Sequence, residues 1–342
     1  MKKLGFLDKI VFLLNSLAAT ALLLSYLLAF IPPKSFPLLS VLSLGVPVLI
    51  ILNLIFLVYW IIKFKRQFLL SLIVLLLGFH YVTGLYQFSA KDNQRDDNQL
   101  SVMSYNVRMF NAYNWVDADD IPGKITGFVN DQSPDILAMQ EYYIGASGIR
   151  RDYPYHYIKL KNKNDEFGSA IFSKYPIVNK YSLDFPQQGN NNATYVDIVV
   201  EEDTLRVFNV HFQSLNIKPE IDELQKEDSR KLFGRIGAGF AMQQDQAEMV
   251  MAEVNNSPYK TLIIGDFNNT IFSYIYEKIN PEKRFQDAFL EAGSGFGETF
   301  KLSYFPLRID FLLIEDSMEV QSYERFKVKY SDHYPIMTRL RL

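Results

Sequence analysis

The stretch Tyr259-Lys260-Thr261-Leu262-Ile263-Ile264-Gly265-Asp266-Phe267-Asn268 reads as a buried strand that stops on a carboxylate and an amide. A short apolar run bounded by polar residues is the pattern of a strand covered on both faces. The same pattern recurs on either side of it. Residues 100–107 are strand-like and carry Asn106 near their end. Residues 135–140 form an apolar run that stops at Glu141. Residues 168–173 and 195–200 are further strands, and 205–212 ends around His211. The last two flank Glu201-Glu202-Asp203-Thr204, a hairpin turn. Residues 309–314 carry Asp310, and 336–342 form a final strand after Asp332-His333. Ile121, Ile125, Phe128 and Val129 recur at helical spacing and predict a helix before Pro134. Residues 220–253 are polar with apolar positions at helical intervals, so largely helical. Residues 100–342 therefore read as one α/β domain.

Asn106, Glu141, His211, Asp266, Asn268 and the pair Asp332-His333 are expected at the C-terminal ends of strands. Strand ends converge in a sheet protein. A single Asp or Asn after a strand is ordinarily a turn former. That explains any one of these residues and does not explain the whole set. Glu141, Asp332 and the amide oxygens of Asn106 and Asn268 are hard ligands, suited to Mg²⁺, Mn²⁺ or Ca²⁺. Asp266 is a carboxylate able to take a proton from water. His333 and His211 supply hydrogen bonds to phosphoryl oxygens. Asp310 is suited to hold His333 in one tautomer and favour its charged form. Together these describe metal-assisted hydrolysis of a phosphate ester.

The first 90 residues are of a different kind. Three uncharged apolar stretches, about 10–31, 38–62 and 68–88, each reach the roughly 20 residues a spanning helix needs. Residues 1–88 are thus expected to be a three-helix membrane region, followed by a polar linker at 89–99. Lys2, Lys3 and Lys9 precede the first stretch, and Lys63, Lys65 and Arg66 separate the second from the third. The positive-inside rule then puts the N-terminus in the cytoplasm and the catalytic domain outside the cytoplasmic membrane, on the periplasmic side. Tyr59 and Trp60 are expected at the inner interface, and Tyr81 and Tyr86 near the outer one. His80 in the third stretch reads as a packed or interfacial histidine.

Residues 1–99 hold 9 basic and 4 acidic residues, whereas the remainder holds 26 basic and 34 acidic. An acidic domain is a poor non-specific binder of nucleic acid. The absence of cysteine excludes disulfides, thiolate metal sites and a cysteine nucleophile. No P-loop, no Gly-x-Ser-x-Gly elbow and no His-Glu-x-x-His is present. Gly293-Ser294-Gly295-Phe296-Gly297 reads as a flexible loop near the site, and Asn190-Asn191-Asn192 as a polar turn.

Seven segments in order carry a family resemblance: Ser104-Tyr105-Asn106-Val107-Arg108, Gln140-Glu141, Gly168 through Ile177, Asn209-Val210-His211-Phe212, Gly265-Asp266-Phe267-Asn268, Arg308-Ile309-Asp310-Phe311 and Ser331-Asp332-His333-Tyr334-Pro335. Together they resemble the motifs of the endonuclease/exonuclease/phosphatase superfamily, closest to its DNase I, sphingomyelinase and inositol-phosphatase side. The resemblance implies a four-layered α/β sandwich of two mainly antiparallel sheets flanked by helices. It implies that Glu141 binds Mg²⁺ or Mn²⁺, assisted by Asn106 and Asp332. It gives Asp266, with Asn268, the attacking water, and gives His333, paired with Asp310, and His211 the phosphoryl charge. Asn269 departs from the pattern, where an Asp is common. The expected substrates are phosphodiesters of nucleic acid, or phospholipids and inositol phosphates, with membrane lipids around the helices and no protein partner indicated. A non-catalytic membrane-anchored interaction module with the same fold is the competing reading.

Overall fold

The computed structural model describes residues 4–88, 91, 99–145, 148–149, 152–161, 165–186, 189, 191–217, 228–302 and 305–342. An N-terminal arm comes first: α1 (Phe6–Ser25), α2 (Pro37–Val41), α3 (Val46–Ile62), α4 (Phe68–Leu77), α5 (Phe79–Leu85) and a short strand β1 (Tyr86–Gln87). The domain follows with β2 (Leu100–Asn106), α6 (Ile121–Gln132), β3 (Ile136–Tyr143), β4 (Tyr155–Leu160), β5 (Phe167–Ser173), β6 (Ile177–Leu183), β7 (Asn192–Val200) and β8 (Asp203–His211). It continues with α7 (Ser229–Asn255), β9 (Lys260–Asp266), α8 (Tyr274–Ile279), β10 (Phe285–Asp287), α9 (Ala288–Ala292), β11 (Gly295–Phe296), β12 (Phe300–Leu302) and β13 (Phe305–Leu307). The last strands are β14 (Asp310–Glu315), β15 (Glu319–Arg325) and β16 (Ile336–Arg341).

Two six-stranded sheets face each other, in the orders β10-β14-β9-β8-β7-β6 and β15-β16-β2-β3-β5-β4. Pairing within them is antiparallel except for β2 with β3 and β8 with β9. The layer between the sheets is built from branched side chains of both, among them Val102, Ile136, Val196, Val207, Leu262, Ile264 and Ile336. α6 covers one outer face through Ile121, Ile125 and Val129. Its start is capped by Asp120, whose carboxylate accepts the Gly123 N–H, and it stops at Ser133 with positive φ just before Pro134. α7 covers the other outer face through Ala247, Val250 and Val254. The four-layered architecture expected from the motifs is the one observed.

The arm continues the α7 side of the sandwich. Leu22, Val46, Ile50, Tyr81 and Leu85 share one apolar cluster with Phe267, Ile271, Phe272 and Ile275 of the domain. Phe6–Phe30 and Pro37–Ile62 are long and apolar enough to cross a membrane. The third expected span is not one straight helix. It breaks into α4 and α5, bent by 81° at Gly78. The Tyr26 ring fills the space beside Gly78, its hydroxyl donates to Val74 O at 2.9 Å, and it stacks on Tyr81. Trp60 is fully buried between helices, where its indole N–H donates to Asn15 at 2.9 Å.

The glycine-rich 293–297 segment differs from a flexible site loop. Gly295 and Phe296 form β11, which pairs with β1 at the end of the arm. Residues 89–90 and 92–98 of the expected linker, Asn190 and residues 220–227 of the expected helix lie outside the described residues.

Candidate active site

Strand register assembles the site. In the first sheet His211 sits opposite Asp266 across the parallel β8/β9 pair, and Asp310 sits opposite Asp266 across the antiparallel β9/β14 pair. In the second sheet Asn106 sits opposite Gln140. Asp332 and His333 do not end a strand, as the sequence suggested. They precede β16, and because β16 runs antiparallel to β2, with Ile336 beside Ser104, its beginning lies at the end of β2. The sheets meet through Asn106, whose amide donates to Asp266 Oδ2 at 2.9 Å.

Two backbone features aim the carboxylates. Gly265 has φ +134, and a Cβ there would meet Val210 O at 2.1 Å, so only glycine fits before Asp266. Glu141 has φ 52, at a register shift between Met139 and Tyr142 on β3. A bulge that turns a polar side chain out of a buried strand is typical beside active sites.

Asp266 is buried and held by Asn268, whose backbone N–H donates to Oδ1 at 2.8 Å and whose amide donates to Oδ2 at 3.2 Å. Burial pushes its pKa well above the usual carboxylate range, against the pull of His333. His333 Nδ1 lies 2.9 Å from Asp310 Oδ2, and Nε2 lies 3.7 Å from Asp266 Oδ2. Burial alone would lower the imidazole pKa, but Asp310 and then Asp266 outweigh it and raise it. His333 thus lies buried between two carboxylates that favour its protonated form, with Phe300 edge-on at 5.0 Å. His211 is its opposite. Burial and then His333 push its pKa down to about 3, so it is neutral. Its Nε2 faces Asp266 at 3.7 Å and Glu141 at 3.8 Å, and its Nδ1 has no partner.

Glu141 and Asp332 face the same cavity. Burial raises the Glu141 pKa first and the charge of Asp332 raises it further. Arg108 pairs with Asp332 at 3.1 Å and offsets part of this repulsion. Two crowded carboxylates with an adjacent amide suit a divalent cation bound by hard oxygens, so the residues fit the ion the resemblance implies. Asn106 offers less than expected as a ligand, because its oxygen accepts the Arg108 N–H at 3.1 Å while its nitrogen faces Asp266. Ligand-type atoms of Asp266, Asp310 and His333 also lie within 4.8 Å of one another. In that trio His333 already spends Nδ1 on Asp310, which suits a dyad beside a base better than a cation cage.

The cavity has a volume of about 360 Å³. Glu141, Asp266, Asn268, Asp332 and His333 line it, while Asn106, His211 and Asp310 stand directly behind. All eight expected residues therefore meet at one place. Sequence reading missed their supports. Gln140 is fully buried and donates to Asn209 at 2.7 Å and Ser104 at 3.1 Å, crossing between the sheets. Ser331 anchors its loop by donating to Asn106 O at 2.9 Å. Thr299 Oγ1 accepts the N–H groups of Ile309 and Asp310 and fixes the start of β14. Polar residues inside apolar strands, such as Asn209 in Val207-Phe208-Asn209-Val210, were the available signal. Asn269 is accounted for structurally: it donates to Gln243 of α7 at 2.6 Å.

The fold and the site together define a hydrolase of phosphate esters. The sequence pattern of the endonuclease/exonuclease/phosphatase family matches residues 103–333, and the chain belongs to that family. A domain of unknown function matches residues 8–85. A DNA-(apurinic or apyrimidinic site) endonuclease of Dictyostelium discoideum is 22% identical over 281 residues, covering 70% of each chain. Among solved structures, an endonuclease/exonuclease/phosphatase from Bacteroides vulgatus superposes with a TM-score of 0.55 and 19% identity, covering 71% of this chain and 99% of its own. A mannosyl-6-phosphatase of Bacteroides thetaiotaomicron gives 0.53 and 17% identity, covering 71% and 100%.

Proposed function

We propose that the protein is a Mg²⁺- or Mn²⁺-dependent phosphodiesterase held at the outer face of the cytoplasmic membrane by its N-terminal helices. The observation that carries this reading is the geometry at the cavity, where His333 Nδ1 lies 2.9 Å from Asp310 and its Nε2 lies 3.7 Å from Asp266. Asp266 takes the proton of a water that attacks phosphorus. The new P–O bond forms as the ester P–O bond breaks, giving a phosphate monoester and an alcohol. His333 donates Nε2–H to the phosphoryl or leaving oxygen, and Asp310 holds its ring. Asn268 and Asn106 keep Asp266 oriented. His211, neutral, donates one hydrogen bond to a phosphoryl oxygen. Glu141, with Asp332 and the free lone pair of Asn106, would hold the metal. When bound, the ion supplies positive charge against the phosphoryl oxygens.

Relatives named as acting on DNA and on a sugar phosphate favour phosphate-ester chemistry without fixing the substrate. The two long apolar helices support the membrane placement; the outer-face orientation takes the bent α4–α5 pair as a third span, with Lys63, Lys65 and Arg66 ahead of it on the cytoplasmic side. The test is hydrolysis of bis(p-nitrophenyl) phosphate by the full chain in detergent. Activity is expected to vanish in EDTA and return with Mg²⁺ or Mn²⁺. Full activity in chelator contradicts the metal requirement.

A further inference from the structure

The segment between the first two long helices does more than connect them. α2 lies across α7, with Pro37 seated against Gly237, where a Cβ would come within 3.1 Å of it. Val41 is buried with Leu215, Ile236 and Phe240. Just ahead of it, Lys34 forms an ion pair with Asp245 of α7. These contacts fix the next turn, and Leu44 in that turn lines the same cavity as Glu141, Asp266 and His333. Leu215 and Ile217, from the loop after β8, extend the same wall. Leu44 also belongs to Pro37–Ile62, one of the two helices apolar enough to cross a membrane. Along that helix Leu38, Leu42 and Val48 point outward and are about half exposed or more. One apolar segment thus carries Leu44 beside the catalytic carboxylates and Leu38, Leu42 and Val48 on the exposed surface.

The cavity is poorly made for a polyanionic strand. Among its described lining residues Arg108 is the single Lys or Arg, and it is already paired with Asp332. Strand-binding grooves need a run of unpaired cations.

Resting on the phosphoesterase reading above, we propose that the substrate is a phosphate ester of a membrane lipid. Its phosphate sits among Glu141, Asp266 and His333, and its apolar chain leaves along Leu44, Leu215 and Ile217 into the bilayer. The arm is then a wall of the active site as well as an anchor.

The test uses the full chain in phosphatidylcholine nanodiscs with Mg²⁺. The probes are p-nitrophenyl methyl phosphate, p-nitrophenyl hexadecyl phosphate carried in the same discs, and an oligothymidylate. The hexadecyl ester is expected to exceed the methyl ester in kcat/KM by about a hundredfold or more, because its chain holds it in the disc beside the site. Leu44→Asn in the arm and Ile217→Asn in the loop are separate variants, each checked for folding by circular dichroism. Each is expected to lower the hexadecyl-to-methyl ratio about tenfold. A ratio near one, a ratio indifferent to both substitutions, or faster cleavage of the oligothymidylate than of either ester overturns the lipid substrate and leaves the phosphoesterase standing. Cleavage of none of the three removes the phosphoesterase reading and this inference with it.

Discussion

The arm and the sandwich both bury polar side chains, and they treat them in opposite ways. In the arm, Asn15 donates to Ser71 at 2.7 Å and accepts from Trp60 at 2.9 Å. Ser71 donates to Asn53, which donates in turn to Leu49 O and Ala18 O. This network is neutral and closed, and among the described residues of the arm no buried side-chain polar atom lacks a partner. In the sandwich, the strand-end cluster crowds two carboxylates around an imidazolium, leaves His211 Nδ1 unpaired and holds Glu141 and Asn268 at positive φ. Closed neutral networks fix helix packing, as buried polar groups in helix bundles do. Open, charged and strained ones cost stability, and their retention marks a site.

The largest effect that would sharpen this contrast is expected at His333. His333→Ala should reduce kcat on bis(p-nitrophenyl) phosphate by about 10²–10⁴-fold, the usual span for a group acting on a proton in the transition state. Asp310→Asn should cost less, because the imidazole remains but is poorly oriented. The same experiment has a pH readout. The imidazolium lowers the pKa of Asp266, so removing it in His333→Gln should raise that pKa and move the acid limb of the residual rate to higher pH. A limb that stays in place or moves to lower pH would separate His333 from Asp266.

The smaller effect is expected in the arm. Asn53→Ala removes the donors to Ala18 O and Leu49 O and the acceptor of Ser71. It should destabilise the helical arm by about 1–2 kcal/mol, the range for interhelical hydrogen bonds in membranes. Turnover of bis(p-nitrophenyl) phosphate should be unchanged. Thermal unfolding in detergent, followed together with kcat, checks both halves. A large loss of kcat with little loss of stability would break the division between the two regions.

The contrast also explains what was legible in the sequence. Apolar runs stopping on Asn106, Glu141, His211 and Asp266 exposed an α/β domain and its site, and the family motifs implied the sandwich. β4 and β6 escaped. β4 is half-exposed and β6 largely exposed, and both are polar in sequence, so neither forms an apolar run. The bend at Gly78 was hidden because the Tyr26 ring that packs beside it lies 52 positions away in sequence. Leu44 was hidden for the same reason. In a uniformly apolar helix nothing distinguishes the residue that reaches the cavity from those that point outward.

Asp266, as the proposed base, is buried at the expense of stability. Asp266→Asn keeps the shape and removes the charge whose burial raises its pKa. Measured together on the full chain, kcat on bis(p-nitrophenyl) phosphate with Mg²⁺ should fall by about 10²–10⁴-fold while Tm holds or rises. A folded Asp266→Asn protein with near wild-type kcat would contradict the account.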